Sequence, residues 1–138
     1  MSEFSKKLVA VMNKSVEPGV IMNALAHSCI AFGAKIGTEP LQLVDYVDQE
    51  GNIHPDISKM PFIILRENSN KIRGLYQQAV ALNIPHAVFT DTMTVGTWEE
   101  QVDRTKATKQ DDLIFYGIVL FGDYQQVHEL TKKCSLWR

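Results

Sequence analysis

Asp91 is the residue whose position points most directly at chemistry. It follows an apolar run, His86-Ala87-Val88-Phe89-Thr90, and ligands of open α/β sheets collect at the C-terminal ends of strands. A carboxylate there can orient a ligand or accept a proton if a second polar group is close. It can equally cap the next turn through its own backbone. Thr90, Thr92, Thr94 and Thr97 crowd the same stretch, and Asn13, Lys14 and Ser15 follow another apolar run, Lys7–Met12. Pro18-Gly19 then opens a helical pattern. A helix start offers free N–H groups and a positive dipole end, fit for an anion or a carbonyl oxygen. If the strands of residues 7–12 and 86–90 are parallel neighbours, Asn13, Ser15, Gly19 and Asp91 converge.

The other reactive side chains are scattered. Of the four histidines, His54 sits beside Pro55 in an irregular stretch and His128 falls on the outer face of a helical pattern. His86 begins a strand and is expected to be partly buried. His27 lies inside an apolar helical pattern, where it reads either as a core histidine with one partner or as a residue of the site. No two histidines have a short ligand spacing, so no metal site and no cofactor are expected. Cys29 and Cys134 each fall on an apolar helix face and read as small hydrophobes, not nucleophiles. The chain has no glycine-rich phosphate loop, no HExxH pair and no paired CxxC.

Elements that alternate must position these residues. Lys7–Met12 reads as a buried strand. Residues 19–35 read as a helix with Ile21, Leu25, Ser28 and Phe32 on its inner stripe, and its other residues are so apolar that it is expected to be buried on most sides. Residues 38–60 are irregular: Leu41–Val47 can form a strand, Asp48–Asn52 a turn, and Ile53–Ile57 a return strand or a loop. Phe62–Leu65 is a second clear strand. Asn68 or Ser69 caps a helix through Leu82 with Ile72, Leu75, Tyr76 and Ala79 inward, and Gly74 marks close packing. Residues 86–90 form the third strand. Thr97-Trp98-Glu99-Glu100 is a capping box for a short helix to about Lys106. Leu113–Leu120 is a central strand, and Asp123 caps a last helix with Tyr124, Val127, Leu130, Thr131 and Cys134 inward. Four strands near 7–12, 62–66, 86–90 and 113–120 are expected to share one sheet. Alternation with helices covers that sheet on both faces, giving an α/β/α sandwich with a mixed sheet of about four strands.

A chain of 138 residues is one domain by size, spanning 1–138. Its 14 basic against 16 acidic side chains give no cationic excess to hold phosphates, so tRNA is not an expected partner. No apolar run of about 18 residues appears, so no membrane span is expected. Met1-Ser2-Glu3-Phe4-Ser5 lacks the basic and apolar segments of a secretory leader. With two cysteines and no disulfide framework, the setting expected is cytoplasmic.

Read together, several segments resemble the type II peptidyl-tRNA hydrolases. They are Lys7-Leu-Val-Ala-Val-Met-Asn, Pro18-Gly19, Ala26-His27-Ser28, Phe62-Ile-Ile-Leu, Leu82–Asp91 and Tyr116-Gly117-Ile118. The likeness covers residues 6–36 and 61–134 in order. It extends to an uncharacterised bacterial domain family that shares the fold, with 37–60 and 92–112 as additions. The resemblance implies a hydrolase-like sandwich with Gly19, His27 and Asp91 on matching positions. The lysine that follows the glycine in the hydrolases is Val20 here, the helix glutamine is Ala24, and the arginine before the aspartate is Thr90.

The expectation is therefore a cleft for a small polar or anionic molecule, without efficient peptidyl-tRNA hydrolysis. Asp91 orients or takes a proton, His27 supports the helix, and Asn13, Lys14, Ser15 and Gly19 contact the ligand. Alternatives remain. One is a divergent or true hydrolase whose cation has moved to Lys14 or Lys35; another is a non-enzymatic interaction domain or homodimer.

Overall fold

The computed structural model describes residues 4–138; Met1–Glu3, on which part of the leader expectation rests, lie outside the described residues. The elements are β1 (Lys6–Asn13), α1 (Pro18–Ile36), β2 (Leu43–Val47), β3 (Ile53–Ser58), β4 (Phe62–Glu67), α2 (Ser69–Ala81), β5 (His86–Thr90), α3 (Trp98–Lys106), β6 (Phe115–Asp123), α4 (Tyr124–Thr131) and β7 (Ser135–Leu136). The four expected strands do share one sheet, with the short β7 as a fifth, in the order β5-β6-β1-β4-β7. β1 and β4 are parallel, and β6 runs antiparallel to both β1 and β5. β1 and β5 therefore run the same way but are not neighbours. β6 lies between them, which corrects the parallel pairing expected from sequence.

Side chains alternate across a strand, and in β1 this divides the core in two. Leu8, Ala10 and Met12 pack with Ile21, Ala24 and Phe32 of α1. Val9 and Val11 pack with Ile72 and Leu75 of α2 and Val127 of α4. One face of the sheet thus carries α1, the other α2 and α4. Gly117 of β6 leaves room for the Met12 thioether, which a side chain there would strike.

Local signals hold well. Asn68 accepts the Lys71 N–H at 2.9 Å at the start of α2. Thr97 and Glu100 form the reciprocal capping box of α3, and Asp123 caps α4 through the Gln126 N–H. Gly74, by contrast, has nothing packed against it and borders an open cavity.

α1 departs from expectation. Ile21, Ala24, Ser28 and Phe32 are buried, but Met22 is 69% and Ile30 71% exposed. The helix is covered on one side only, because no element packs over its outer face among the described residues. By length and composition it could cross a membrane, against the sequence expectation, yet its inner stripe packs on the sheet as a core helix does.

The irregular stretch folds as a hairpin. β2 and β3 pair only with each other, antiparallel, as a second small sheet. At its turn, the Asp48 carboxylate accepts the backbone N–H groups of Glu50 and Asn52. His54 lies in β3, with Nε2 at 3.0 Å from the same carboxylate. His128 is half-buried, contacting Lys7 Nζ and stacking on Tyr124.

Candidate functional site

Because β1, β4 and β5 run the same way, their C-terminal ends meet at one edge of the sheet. Asn13, Glu67 and Asp91 all stand there, the first two paired in register. Asn13 is only 2% exposed. Its Nδ2 donates to the Phe115 carbonyl at 2.9 Å, and its Oδ1 accepts the Ser15 N–H at 2.8 Å. Both ends of the amide are thus committed to the fold: Asn13 ties β1 to β6 and closes the turn into α1. Lys14 and Ser15 are exposed, and the Lys14 N–H donates to the Glu67 carbonyl at 3.0 Å.

Asp91 makes a reciprocal pair with Ile114. Its N–H donates to the Ile114 carbonyl, and its Oδ1 accepts the Ile114 N–H, both at 3.0 Å. The carboxylate therefore braces the end of β5 against the start of β6 and does not cap its own turn. The Asp91 carbonyl accepts the Thr94 hydroxyl at 2.8 Å.

The sheet separates the expected residues into two groups. By alternation, Asn13 follows Val9 and Val11 toward α2, whereas Gly19 and His27 ride on α1 over the opposite face. Gly19, in the first turn of α1, is exposed with nothing packed against it. His27 is exposed as well, not a core histidine. Its ring lies 5.9 Å from that of Phe89, which lies 6.3 Å from Tyr116. Tyr116 reaches that side because β6 is bulged: Phe89 pairs with Gly117 and Thr90 with Phe115, so Tyr116 is skipped. Such bulges re-aim single side chains at strand ends. The α1 side of the edge thus holds Phe89, two residues before Asp91 in the chain, with Tyr116 and with His27, which shares its helix with Gly19.

Positions that differ from the hydrolase pattern have local explanations. Thr90 is 1% exposed, and its hydroxyl lies 2.8 Å from that of Thr92. Ala24 is fully buried under α1. Val20 is exposed and carries no charge.

Glu67 was not singled out by sequence, although it follows the apolar run of β4 as directly as Asp91 follows β5. It is buried, accepts the Asn68 N–H at 3.1 Å and lies 3.7 Å from Lys71 Nζ. It borders a cavity of about 580 Å³ between α2 and α4, with Lys71, Leu75, Lys133 and Cys134. Burial, then the Glu67 charge, pushes the Cys134 thiol above its ordinary range, with Lys71 opposing. Burial alone raises the Cys29 thiol. Both thiols stay protonated at neutral pH, which fits the packing role read from sequence. A second cavity, of about 550 Å³, opens under the β2–β3 hairpin beside Cys29 and Phe32. Neither cavity is lined by Asn13, Lys14, Ser15, Gly19, His27 or Asp91. Among the described residues, no three His, Cys, Asp or Glu side chains cluster closely enough to hold a metal ion.

Residues 6–138 match the model of the family described as "Protein of unknown function (DUF2000)". The chain belongs to the DUF2000 family. A search of curated proteins finds no match. Among solved structures, this DUF2000 chain is similar to a protein of unknown function, Atu0240, from Agrobacterium tumefaciens strain C58. The identity is 18%, the coverage 98% of this chain and 99% of that one, and the TM-score 0.84. At that identity the likeness speaks to the fold alone.

Proposed function

We propose that this chain is a single-domain binding protein on a type II peptidyl-tRNA hydrolase-like scaffold. It takes a small polar or anionic molecule at the strand ends on the α1 side and lacks efficient peptidyl-tRNA hydrolysis. The observation that carries the reading is the exposed His27 ring against Phe89, two residues before Asp91 in the chain, on the helix whose first turn holds Gly19. Gly19 lets a ligand approach the free N–H groups of the first turn of α1. Asp91, with Oδ1 held by Ile114, keeps its second oxygen for a ligand proton. Lys14 and Ser15 flank the helix start, and Asn13 is a positioning residue behind them.

The hydrolytic step lacks support from the residues present. Val20 and the buried Ala24 and Thr90 replace the lysine, glutamine and arginine of the hydrolase pattern. Loss of one preorganised group at a developing charge costs roughly 10²–10³ in rate. The near-neutral charge balance argues against tRNA capture. Free thiols fit a reducing, cytoplasmic setting. The exposed Met22 and Ile30 on the outer face of α1 favour a homodimer as the partner reading, which sedimentation of the native chain against Ile30→Glu tests.

The test of the site is an NMR titration with inorganic phosphate and with acetate as probes. Saturable shifts at Gly19 and His27, weakened in His27→Ala, are expected. No shift with either anion, or shifts confined to Lys71 and Lys133 in the cavity between α2 and α4, contradict the reading.

A further inference from the structure

The groove under the hairpin has a different chemistry. About 550 Å³ in volume, it runs between the second half of α1, the hairpin and the starts of β1 and β4. Phe32, Leu41, Ile57 and Met60 give it apolar walls, and its size is that of a small-molecule site. Among the described residues that line it, one is acidic, Asp56, and none is basic.

Asp56 is brought to the groove by a local irregularity. In a regular strand, successive side chains alternate faces, yet Asp56, Ile57 and Ser58 all line the groove. The hairpin register steps from Val44↔Ile57 to Tyr46↔His54, so Pro55 and Asp56 together oppose Asp45. Asp56 adopts a φ of 64°, in the left-handed region that aspartate tolerates better than most residues. Ser58 is committed elsewhere, donating to the Leu41 carbonyl and accepting the Met60 N–H. Among the described residues no hydrogen bond or ion pair engages the Asp56 carboxylate. The neighbouring Lys59 lines a separate cavity with Gln42 and Tyr46.

We propose that this groove binds a small molecule with an apolar body and a protonated amine at one end. The body lies against Phe32, Leu41 and Met60, and the ammonium meets Asp56. An apolar lining whose one acidic residue is Asp56 draws a cationic head and repels a carboxylate, and among the described residues no basic side chain lines the groove to reverse that preference. This site is independent of the strand-end reading, since none of its residues belongs to that edge.

The experiment compares decylamine, decanol and decanoate, each below its micelle concentration, on the full chain. Binding is followed by calorimetry and by protection of Cys29, which lines the groove, from alkylation. Cys134, in the other cavity, is the internal control. Decylamine is expected to bind, slow alkylation of Cys29 and spare Cys134. Because Asp56 is exposed, decanol should bind only roughly fivefold more weakly, with decanoate weaker still. Asp56→Asn, which keeps a side chain that tolerates the left-handed conformation, should bring the amine down to the alcohol. Should that variant unfold, salt decides on the native chain: salt weakens the amine and not the alcohol. Equal binding of all three probes, an amine preference that survives Asp56→Asn or high salt, or no protection of Cys29 overturns the proposal.

Discussion

The two ends of α1 face opposite kinds of surroundings. Near its start, at the strand ends, polar side chains are dense and most are bonded to the fold itself. Asn13 spends both ends of its amide, Thr90 is closed onto Thr92, and Asp91 is braced by Ile114. Near its end, under the hairpin, the lining is apolar and its single carboxylate is engaged by no described residue. A dense set of polar residues is thus a poor guide to an open site. Hydrogen bonding among such residues is how a strand end avoids unsatisfied buried groups. What stays available is the smaller part that packing leaves outside, here Gly19 and one oxygen of Asp91 at the strand ends, His27 at mid-helix, and Asp56 under the hairpin.

The largest expected effect separates the two ends through the core. Phe32 is buried beneath the groove. Phe32→Ala should cost roughly 3–5 kcal/mol, by lost burial plus the cavity left behind. Urea unfolding gives the magnitude. NMR shifts at His27 and Tyr116 should stay put while those at Cys29 and Met60 move. Equal disturbance at both ends means that they are not separable regions.

Next comes Asn13→Ala. The change leaves the buried Phe115 carbonyl without its partner and frees the Ser15 N–H at the surface, which together cost roughly 1–3 kcal/mol. Hydrogen exchange at Ser15 should speed up, whereas the hairpin amides keep their protection. Unchanged stability would make Asn13 a ligand residue and not a positioning one.

The smallest effect lies at the hairpin tip. The Asp48 carboxyl is lowered from 3.8 to about 2, first by the His54 ring, then by the backbone and side chain of Asn52. Its folded value lies below the unfolded one. Its stabilisation is therefore fully present above about pH 4 and lost as pH falls through about 2. Carboxyl NMR should show a midpoint near 2 in the native chain and a rise toward 3.8 in His54→Ala. A native midpoint near 3.8 breaks this picture of the turn.

Sequence reading was strongest where the signal is local. The apolar runs of β1, β4, β5 and β6, the Thr97–Glu100 box and the caps at Asn68 and Asp123 each state their structure within a few residues. It was weaker where tertiary packing decides. Nothing near Leu8 or Thr90 says that β6 lies between their strands, because that needs a chain reversal after residue 112. The exposure of Met22 and Ile30 was hidden because composition reports how apolar a helix is, not how many sides are covered. The β6 bulge that turns Tyr116 toward Phe89 has no marker beyond Gly117. Glu67 could have been found by the same strand-end logic as Asp91. The groove could not, since its walls come from five separated segments and its acidic residue is brought there by a register step.

Whether the scaffold hydrolyses is decided by ester release from a peptidyl-tRNA by the purified full chain, beside a type II hydrolase and the Lys14→Ala variant. Release at the level of the uncatalysed blank is expected for both the native chain and the variant. Val20, Ala24 and Thr90 supply no charge at the reacting ester, and Lys14 then has no catalytic part to lose. Turnover comparable to the hydrolase, abolished in Lys14→Ala, contradicts it and makes Lys14 the relocated cation of a working enzyme.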